Sequence, residues 1–367
     1  MDRSMDRARR AKELVANKNS MIYMDLKDII KDHALPFLPA KSLFRFNGVC
    51  KDWKLQIRSP FFAHKQSTSF FDVSGFFFSS ISTTPSFISI DSKAYGVPDP
   101  SLKFLPEPVD IRASSNGLLC CQGREGYKAY YICNPVTKQW KKLPKPNADH
   151  GSNPALVLIF EPSLLSFVAE YKLVCAFPSL DFENGHEFEI FSSKEGSWRI
   201  SGEIFYGNGS LLPRSGVHVN DIIYWHSSHG RILVFDLKME RAQLLYGNDY
   251  YNGEAVLGVI DGKLCSTRAQ GTGVSISVLS NAYTNTMQMG SSAKTWERKL
   301  TINLTPAPQP GTAGSTGSLL FASGNMVLYR YDTKFHSYNL RTKETRCVGE
   351  GHYQGSIVPH VNSLVEI

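Results

Sequence analysis

Few residues in this chain are spaced for bond chemistry. His226 and His229 stand three apart, between Trp225 and Arg231. Two imidazoles at that spacing hold a zinc ion only if further ligands converge on them, and the segment reads as a hairpin turn. Cys120 and Cys121 are adjacent on a predicted strand, so their thiols point to opposite faces and cannot readily share one ion. Ser291-Ser292-Ala293-Lys294 fits a Ser-x-x-Lys pattern, but it lies in a Ser-rich loop where four-residue matches arise by chance. Gly311-Thr312-Ala313-Gly314-Ser315-Thr316-Gly317 follows Pro306, Pro308 and Pro310, and reads as a flexible loop rather than a phosphate cradle between strand and helix. The expectation is a non-catalytic protein without cofactor or metal.

The elements around these residues must therefore serve recognition. The chain has 367 residues, enough for one large or two unequal domains, with 42% hydrophobic and 20% charged residues. Twenty-two Phe, 16 Tyr, 28 Gly and 19 Pro favour many short strands and tight turns. The net charge is +7, and six Lys/Arg against three Asp/Glu fall within residues 1–20, which read as a disordered basic leader. No basic stripe follows, so a nucleic-acid partner is not expected. Seven Cys without framework spacing fit reduced thiols in a cytoplasmic or nuclear protein. The most apolar stretch, 70–90, is interrupted by Asp72, Gly75 and Pro85 and does not read as a membrane span.

Residues 21–66 carry helical periodicity. Leu26, Ile29 and Ile30 form one apolar stripe. Leu43, Phe46, Val49 or Cys50, Trp53 and Ile57 form a second, predicted as a single helix that opens at Pro39 and stops at Pro60. Two or three short helices in about forty residues cannot bury much surface and must lean on a partner or on the next domain.

The run Leu38-Pro39-Ala40-Lys41-Ser42-Leu43-Phe44-Arg45-Phe46-Asn47-Gly48-Val49-Cys50-Lys51-Asp52-Trp53, followed by Ser59-Pro60-Phe61-Phe62 and His64, resembles a plant-type F-box. The resemblance implies binding to a Skp-family adaptor and, through it, to a cullin-RING ubiquitin ligase. It implies that Leu26, Ile30, Leu35, Pro36, Leu38, Pro39, Leu43, Phe46, Val49, Cys50 and Trp53 form the adaptor-facing surface or its support. The opening departs from the family pattern. Ile22-Tyr23-Met24-Asp25-Leu26 lacks the usual Pro, and the spacer 31–37 is long, which leaves Leu35-Pro36 as the expected Leu-Pro contact.

From residue 67 onward the helical period is lost and a degenerate unit recurs: an apolar strand, a small or acidic turn residue, a turn and a second strand, often with Trp. Tyr130-Tyr131-Ile132-Cys133-Asn134 leading to Trp140 is the clearest copy. Others run from Phe188 to Trp198, from Ile232 to Arg241, from Ser275 to Trp296 and from Phe335 to Thr345. Their turn residues 134, 192, 236, 280 and 339 are 58, 44, 44 and 59 residues apart, as β-propeller blades with insertions would be. Turn pairs such as Asn116-Gly117, Asn220-Asp221 and Asp261-Gly262 feed wholly apolar strands that suit a position buried between blades. Together with 70–90, about six blades fit residues 67–367.

These units resemble the F-box-associated domain of plant F-box proteins, through the Asn-Gly-Leu-Leu-Cys strand, the Ile-Cys-Asn-Pro-Val-Thr-Lys-Gln-Trp unit and the closing Val361-Asn362-Ser363-Leu364-Val365. The resemblance implies a kelch-like propeller that receives a protein target for ubiquitination, with the last strand closing the ring against the first. Trp225, His229, Arg231, Tyr250 and Tyr251, in two expected loops, are candidate target contacts, since exposed aromatic and Arg side chains anchor interfaces. Two rival readings are an interaction scaffold without ligase coupling, and a propeller that holds a small molecule or a reaction centre in its channel.

Overall fold

The computed structural model describes residues 26–79, 83–151, 153–162, 169–207, 209–228, 230–246, 255–270, 273–280, 296–305, 318–351 and 355–367. Among the described residues four short helices come first: α1 (Leu26–His33), α2 (Ala40–Phe46), α3 (Lys51–Ile57) and α4 (Pro60–Ser69), with a 3-10 turn at Leu35–Phe37 between α1 and α2. The single helix expected from Leu43 to Ile57 is thus two. Asn47-Gly48 favours a break, and Cys50 is extended, its Sγ accepting the Trp53 N–H at 3.5 Å to cap α3. Pro60 does more than stop a helix: with Ser59 as N-cap it opens α4.

The remaining strands form a six-bladed propeller of antiparallel sheets. β1 (Val73–Ser79) and β2 (Ser86–Ser89) begin the first blade. The second holds β3 (Val109–Ser115), β4 (Leu118–Gly123), β5 (Tyr130–Asn134) and β6 (Gln139–Lys142). The third holds β7 (Ala155–Phe160), β8 (Tyr171–Pro178), β9 (Gly185–Ser192) and β10 (Ser197–Tyr206). The fourth holds β11 (Val217–Val219), β12 (Ile222–His226), β13 (Arg231–Asp236) and β14 (Arg241–Tyr246). The fifth holds β15 (Ala255–Ile260), β16 (Lys263–Gln270), β17 (Gly273–Leu279) and β18 (Trp296–Asn303). The sixth holds β19 (Ser318–Ser323), β20 (Met326–Tyr331), β21 (Lys334–Asn339) and β22 (Thr345–Glu350). β23 (Ser356–Val361) then returns to pair antiparallel with β1, Phe77 opposite Val358, and closes the ring.

Each repeat unit read from the sequence is the third-to-fourth strand hairpin of a four-stranded blade. Its turn residue has a physical role. The Asn134, Asp236 and Asn339 side chains each accept the N–H two residues on, at 2.8–2.9 Å, forming an Asx turn at the same place in three blades. The first-to-second turns Asn116-Gly117, Asn220-Asp221 and Asp261-Gly262 have positive φ at both positions, as a type I′ turn demands.

The core lies between blades. Cys120 faces the packing between the second and third blades and Cys121 that between the first and second, so the adjacent thiols do point to opposite faces. Trp225 is fully buried, 6.2 Å from the Phe188 ring, between the third and fourth blades. The expectation that it belongs to a recognition loop is corrected: β12 is a central strand covered on both faces, and its Trp fills that core.

The helical unit rests on the propeller. Leu35, Ala40, Leu43, Ile57, Phe62 and Ala63 share one core with Val136, from the β5–β6 turn, and with Leu364. Fully burying each large apolar side chain contributes roughly 1.5–3 kcal/mol. The segment 362–367 threads between the two parts. Asn362 caps α2 from more than three hundred residues away, its carbonyl accepting the Ala40 N–H and its Oδ1 the Lys41 N–H, each at 3.0 Å. These are first-turn donors that Pro39, at the N-cap, cannot satisfy with a side chain. Buried Gln66 of α4 donates to the Leu38 and Asn362 carbonyls and accepts from the Leu364 N–H at 3.0 Å. Asn134 Nδ2 donates to the Ser363 and Val365 carbonyls. At Gly117 an added Cβ would stand 2.4 Å from Ser363 Cβ, so only glycine lets the segment pass.

Candidate functional site

An antiparallel meander sorts its loops by end. In every four-stranded blade the first-to-second and third-to-fourth turns lie at one end. The second-to-third turns and the crossings between blades lie at the other. Gly117 and Val136 place the helical unit on the turn face. The crossing face therefore points away from it, and the molecule has two opposed candidate surfaces.

On the helical unit, Leu26, Ile29, Phe37, Phe44, Val49, Leu55 and Phe61 are exposed apolar side chains, Leu55 at 73% and Leu26 at 68%. So many on some forty residues is the kind of surface that marks a protein contact. The sequence-predicted residues divide by position. Leu26, Val49 and Cys50 are exposed. Ile30, Leu38, Phe46 and Trp53 are half-buried, with the Phe46 and Trp53 rings edge-on at 5.7 Å. Leu35, Pro36, Pro39 and Leu43 are buried beneath that surface, Leu35 and Leu43 in the core shared with Val136 and Leu364. The Leu35-Pro36 pair thus faces inward. Phe44, Leu55 and Phe61 are exposed positions outside the set expected to face the adaptor. Alternation with the buried positions of α2, α3 and α4 is the signal that marks them.

On the crossing face, exposed Tyr127, Leu180, Phe182, Tyr206, Leu212, Tyr246 and Tyr331 all sit in, or at the edge of, the loops of that end. Tyr206 packs edge-on against Phe182 at 5.9 Å, and Arg231 lies 5.9 Å from the Tyr246 ring. Arg231, expected in a loop, is the half-buried first residue of β13 at this end. His229, Tyr250 and Tyr251 lie outside the described residues, as do Ser291, Lys294 and residues 311–317.

A cavity of about 630 Å³ runs through the ring, lined by β3, β7, β11, β15, β19 and β23. At its wall Arg112 donates to Gln122 Oε1 and Asn153 Oδ1, both at 2.9 Å, and to Asp110 Oδ2 at 3.3 Å. Arg214 Nε donates to the Ile111 carbonyl at 2.7 Å. Burial and the neighbouring Arg112 charge push the Arg214 guanidinium down to about 10. Sequence reading missed both arginines. The signal was in β3, where Val109-Asp110-Ile111-Arg112 puts opposite charges two apart on an otherwise buried inner strand.

The loop that brings Asn153 to Arg112 is itself fixed from below. The Glu189 carboxylate, fully buried, accepts from the Asn147 and Ala148 N–H groups and from His150 Nε2 at 2.7 Å; His150 Nδ1 meets Tyr130 OH at 3.0 Å. Burial alone would raise the Glu189 carboxyl. The hydrogen bonds from His150, Asn147 and Ala148 outweigh it and hold the group below its ordinary value. Among the described residues no three His, Cys, Asp or Glu side chains are grouped to hold a metal ion, and no helix is long and apolar enough to cross a membrane.

A family profile described as F-box protein At3g26010-like, beta-propeller, matches residues 101–305, more than half of the chain. The chain belongs to that family. This F-box propeller protein is also similar to three proteins of Arabidopsis thaliana. It is 43% identical to F-box protein At5g49610 over 112 residues, 29% of this chain and 30% of that one. It is 28% identical to F-box protein At5g07610 over 315 residues, 79% and 73% of the two chains. With the putative F-box/kelch-repeat protein At1g15680 it shares 25% identity over 372 residues, 90% and 85% of the two chains. The match thus spans less than a third of the first relative and most of the other two.

Proposed function

We propose that this F-box propeller is the target-recognition subunit of an SCF-type ubiquitin ligase. Its helical unit would bind a Skp-family adaptor and its crossing face a protein target. The single observation that carries the reading is the placement of two apolar-rich surfaces at opposite ends of one body, fastened by the segment 362–367. A receptor with that geometry needs no reacting group. It holds the target's lysines near the charged conjugating enzyme and raises their effective concentration.

The test is co-purification of the full chain with a Skp-family adaptor, then assembly with a cullin-RING core and assay of ubiquitin transfer to captured proteins. Adaptor binding with transfer supports the reading. Failure to bind the adaptor, where a standard F-box binds, removes it. Adaptor binding without cullin assembly would favour the plain scaffold, which the inward-facing Leu35-Pro36 pair keeps in view.

A further inference from the structure

We propose that the outer edge of the second blade docks an extended, acidic segment of a partner protein, which pairs its backbone with β6 and sets its carboxylates against Lys138, Lys141, Lys142 and Lys145. This edge lies on the flank of the ring, between the two opposed surfaces. The inference goes beyond the receptor reading and does not rest on it.

Unanswered charge is the first observation. Lys138, Lys141, Lys142 and Lys145 are exposed, and among the described residues none of them is in an ion pair. The other four-stranded blades differ. Each ties a cation of its outer strand to a carboxylate: Arg199 to Glu240, Arg241 to Glu203 at 3.2 Å, Lys299 to Asp261, and Arg346 to Glu344 at 2.9 Å. Carboxylates bound the strip at both ends. Glu107, held by Tyr131 OH and the Glu125 N–H, and exposed Glu125 stand at the crossing end. Glu366 stands at the turn end, beside the Ile367 N–H that donates to Gln139 Oε1 at 3.4 Å. The positive run is therefore one strand long, a poor fit for a long polyanion such as nucleic acid. The charge pattern of the sequence did not mark it, because whether a lysine is answered depends on what lies near it in space.

Uncovered aromatic surface is the second. Trp140 of β6 and Trp198 of β10 hold the same place in their blades, opposite Cys133 and Phe191 on the third strand. Trp198 is 6% exposed and packs on Tyr130 of the preceding blade, whereas Trp140 is 42% exposed. The blade before β6 is the first, which has three strands rather than four among the described residues. Leu102 and Leu105, from the crossing into β3, pack with Tyr131 and leave Trp140 and Tyr127 half out. Lys142 Nζ is held 5.1 Å from the Tyr127 ring centre and 6.0 Å from that of Tyr131, with Trp140 edge-on to Tyr131 at 6.0 Å.

The backbone is the third, and it decides the kind of partner. β6 is the last strand of its sheet. The Leu143 N–H donates to the Tyr130 carbonyl, so by antiparallel alternation Gln139 and Lys141 turn their backbone groups toward β5, and Trp140 and Lys142 turn theirs outward. A peptide laid along this edge finds two N–H and two C=O groups. Its alternate side chains reach both faces, Trp140 with Lys142 on one and Lys141 on the other. Lysines on an edge deter a neutral or basic strand and favour an acidic one. Nucleic acid and anionic lipid would answer the charge and leave the backbone edge unpaired.

The experiment pans a random dodecapeptide library displayed on phage against the full chain. The expected outcome is enrichment of peptides with Asp or Glu at alternate positions. Replacing those residues with Asn or Gln should weaken the synthetic peptide about tenfold or more. Methylating its backbone nitrogens at one set of alternate positions should abolish binding, and at the other set should leave it. Lys141→Glu and Lys142→Glu should each weaken the peptide about tenfold without lowering the melting temperature, since both side chains are exposed. Arg346→Gln, on the outer strand of the sixth blade, should change nothing. Four outcomes would each overturn the proposal: no acidic peptide enriched, indifference to Lys142→Glu, indifference to methylation at both sets of positions, or tighter binding of a single-stranded DNA or of phosphatidylserine vesicles than of any enriched peptide. A chain that holds its adaptor and selects no acidic peptide breaks this inference alone. One that selects acidic peptides without holding an adaptor breaks the receptor reading alone.

Discussion

The helical unit and the propeller solve the same problem differently. The propeller closes on itself, each blade burying its faces against two neighbours, so its cores are internal and continuous round the ring. The helical unit has one small core, completed by Val136 and Leu364, and leaves a larger share of its apolar side chains outside. One part is self-sufficient and the other borrows its stability. Apolar surface left exposed is surface that cannot hold the fold together, and the segment 362–367 supplies the difference.

Cutting that segment should give the largest effect. A chain stopped at Val361 loses the α2 cap, the Gln66 partners Asn362, Ser363 and Leu364, and the Leu364 side chain together, and is expected to lose amide-exchange protection across α1–α4 and, if the helical unit holds an adaptor, that binding too. If α1–α4 stay protected in the shortened chain, the helical unit does not borrow its stability and the contrast fails.

Acid should strike the propeller next. Burial holds His360 at about 3 and His226 at about 4, against an ordinary 6.5. Below 6.5 the unfolded chain binds protons that the folded one refuses, so stability is intact at neutral pH and falls as the pH drops toward the folded values. Each group then costs about 1.4 kcal/mol per pH unit, and the pair about 4 kcal/mol between pH 7 and pH 5, measurable by urea titration. His360→Phe should flatten about half of that slope.

Glu189→Gln should follow, destabilising the propeller by about 2–3 kcal/mol, because His150 and two backbone N–H groups lose a buried charged acceptor. Adaptor affinity should not move. Leu55→Ser, at a highly exposed position, should change the unfolding free energy by less than about 0.5 kcal/mol while lowering adaptor affinity, read by calorimetry. Equal losses of stability and affinity would mean that Leu55 belongs to the core.

Much of this contrast was legible before any coordinates. Three of the third-to-fourth strand hairpins announced themselves because an Asx turn needs Asn or Asp at a fixed place, and that constraint survives when the strands around it drift. Inner strands were harder. β11 is three residues long, and β3 mixes Asp110 and Arg112 into an apolar run, so neither shows a clean period. The helical stripe from Leu43 to Ile57 was continuous in spacing and still misread, because capping by Cys50 is local geometry that periodicity does not carry. The surface of the helical unit was legible as a family pattern but not in depth: Leu43 and Val49 belong to one pattern, yet one is buried and the other exposed. Trp225 shows the same limit, since an aromatic beside a turn can end a buried strand as readily as begin a loop.

The closure by β23 also sets a timetable for synthesis. β1 leaves the ribosome nearly three hundred residues before the strand that must become its inner neighbour, and α2 waits as long for Asn362. Through that interval the nascent chain carries an open sheet edge and a half-built helical core, the exposures that chaperones attend to. Pairings so distant in sequence make folding slow. A chain stopped before Ser356 would have a ring with no last strand and a helical unit with nothing to stand on, so both parts would fail together.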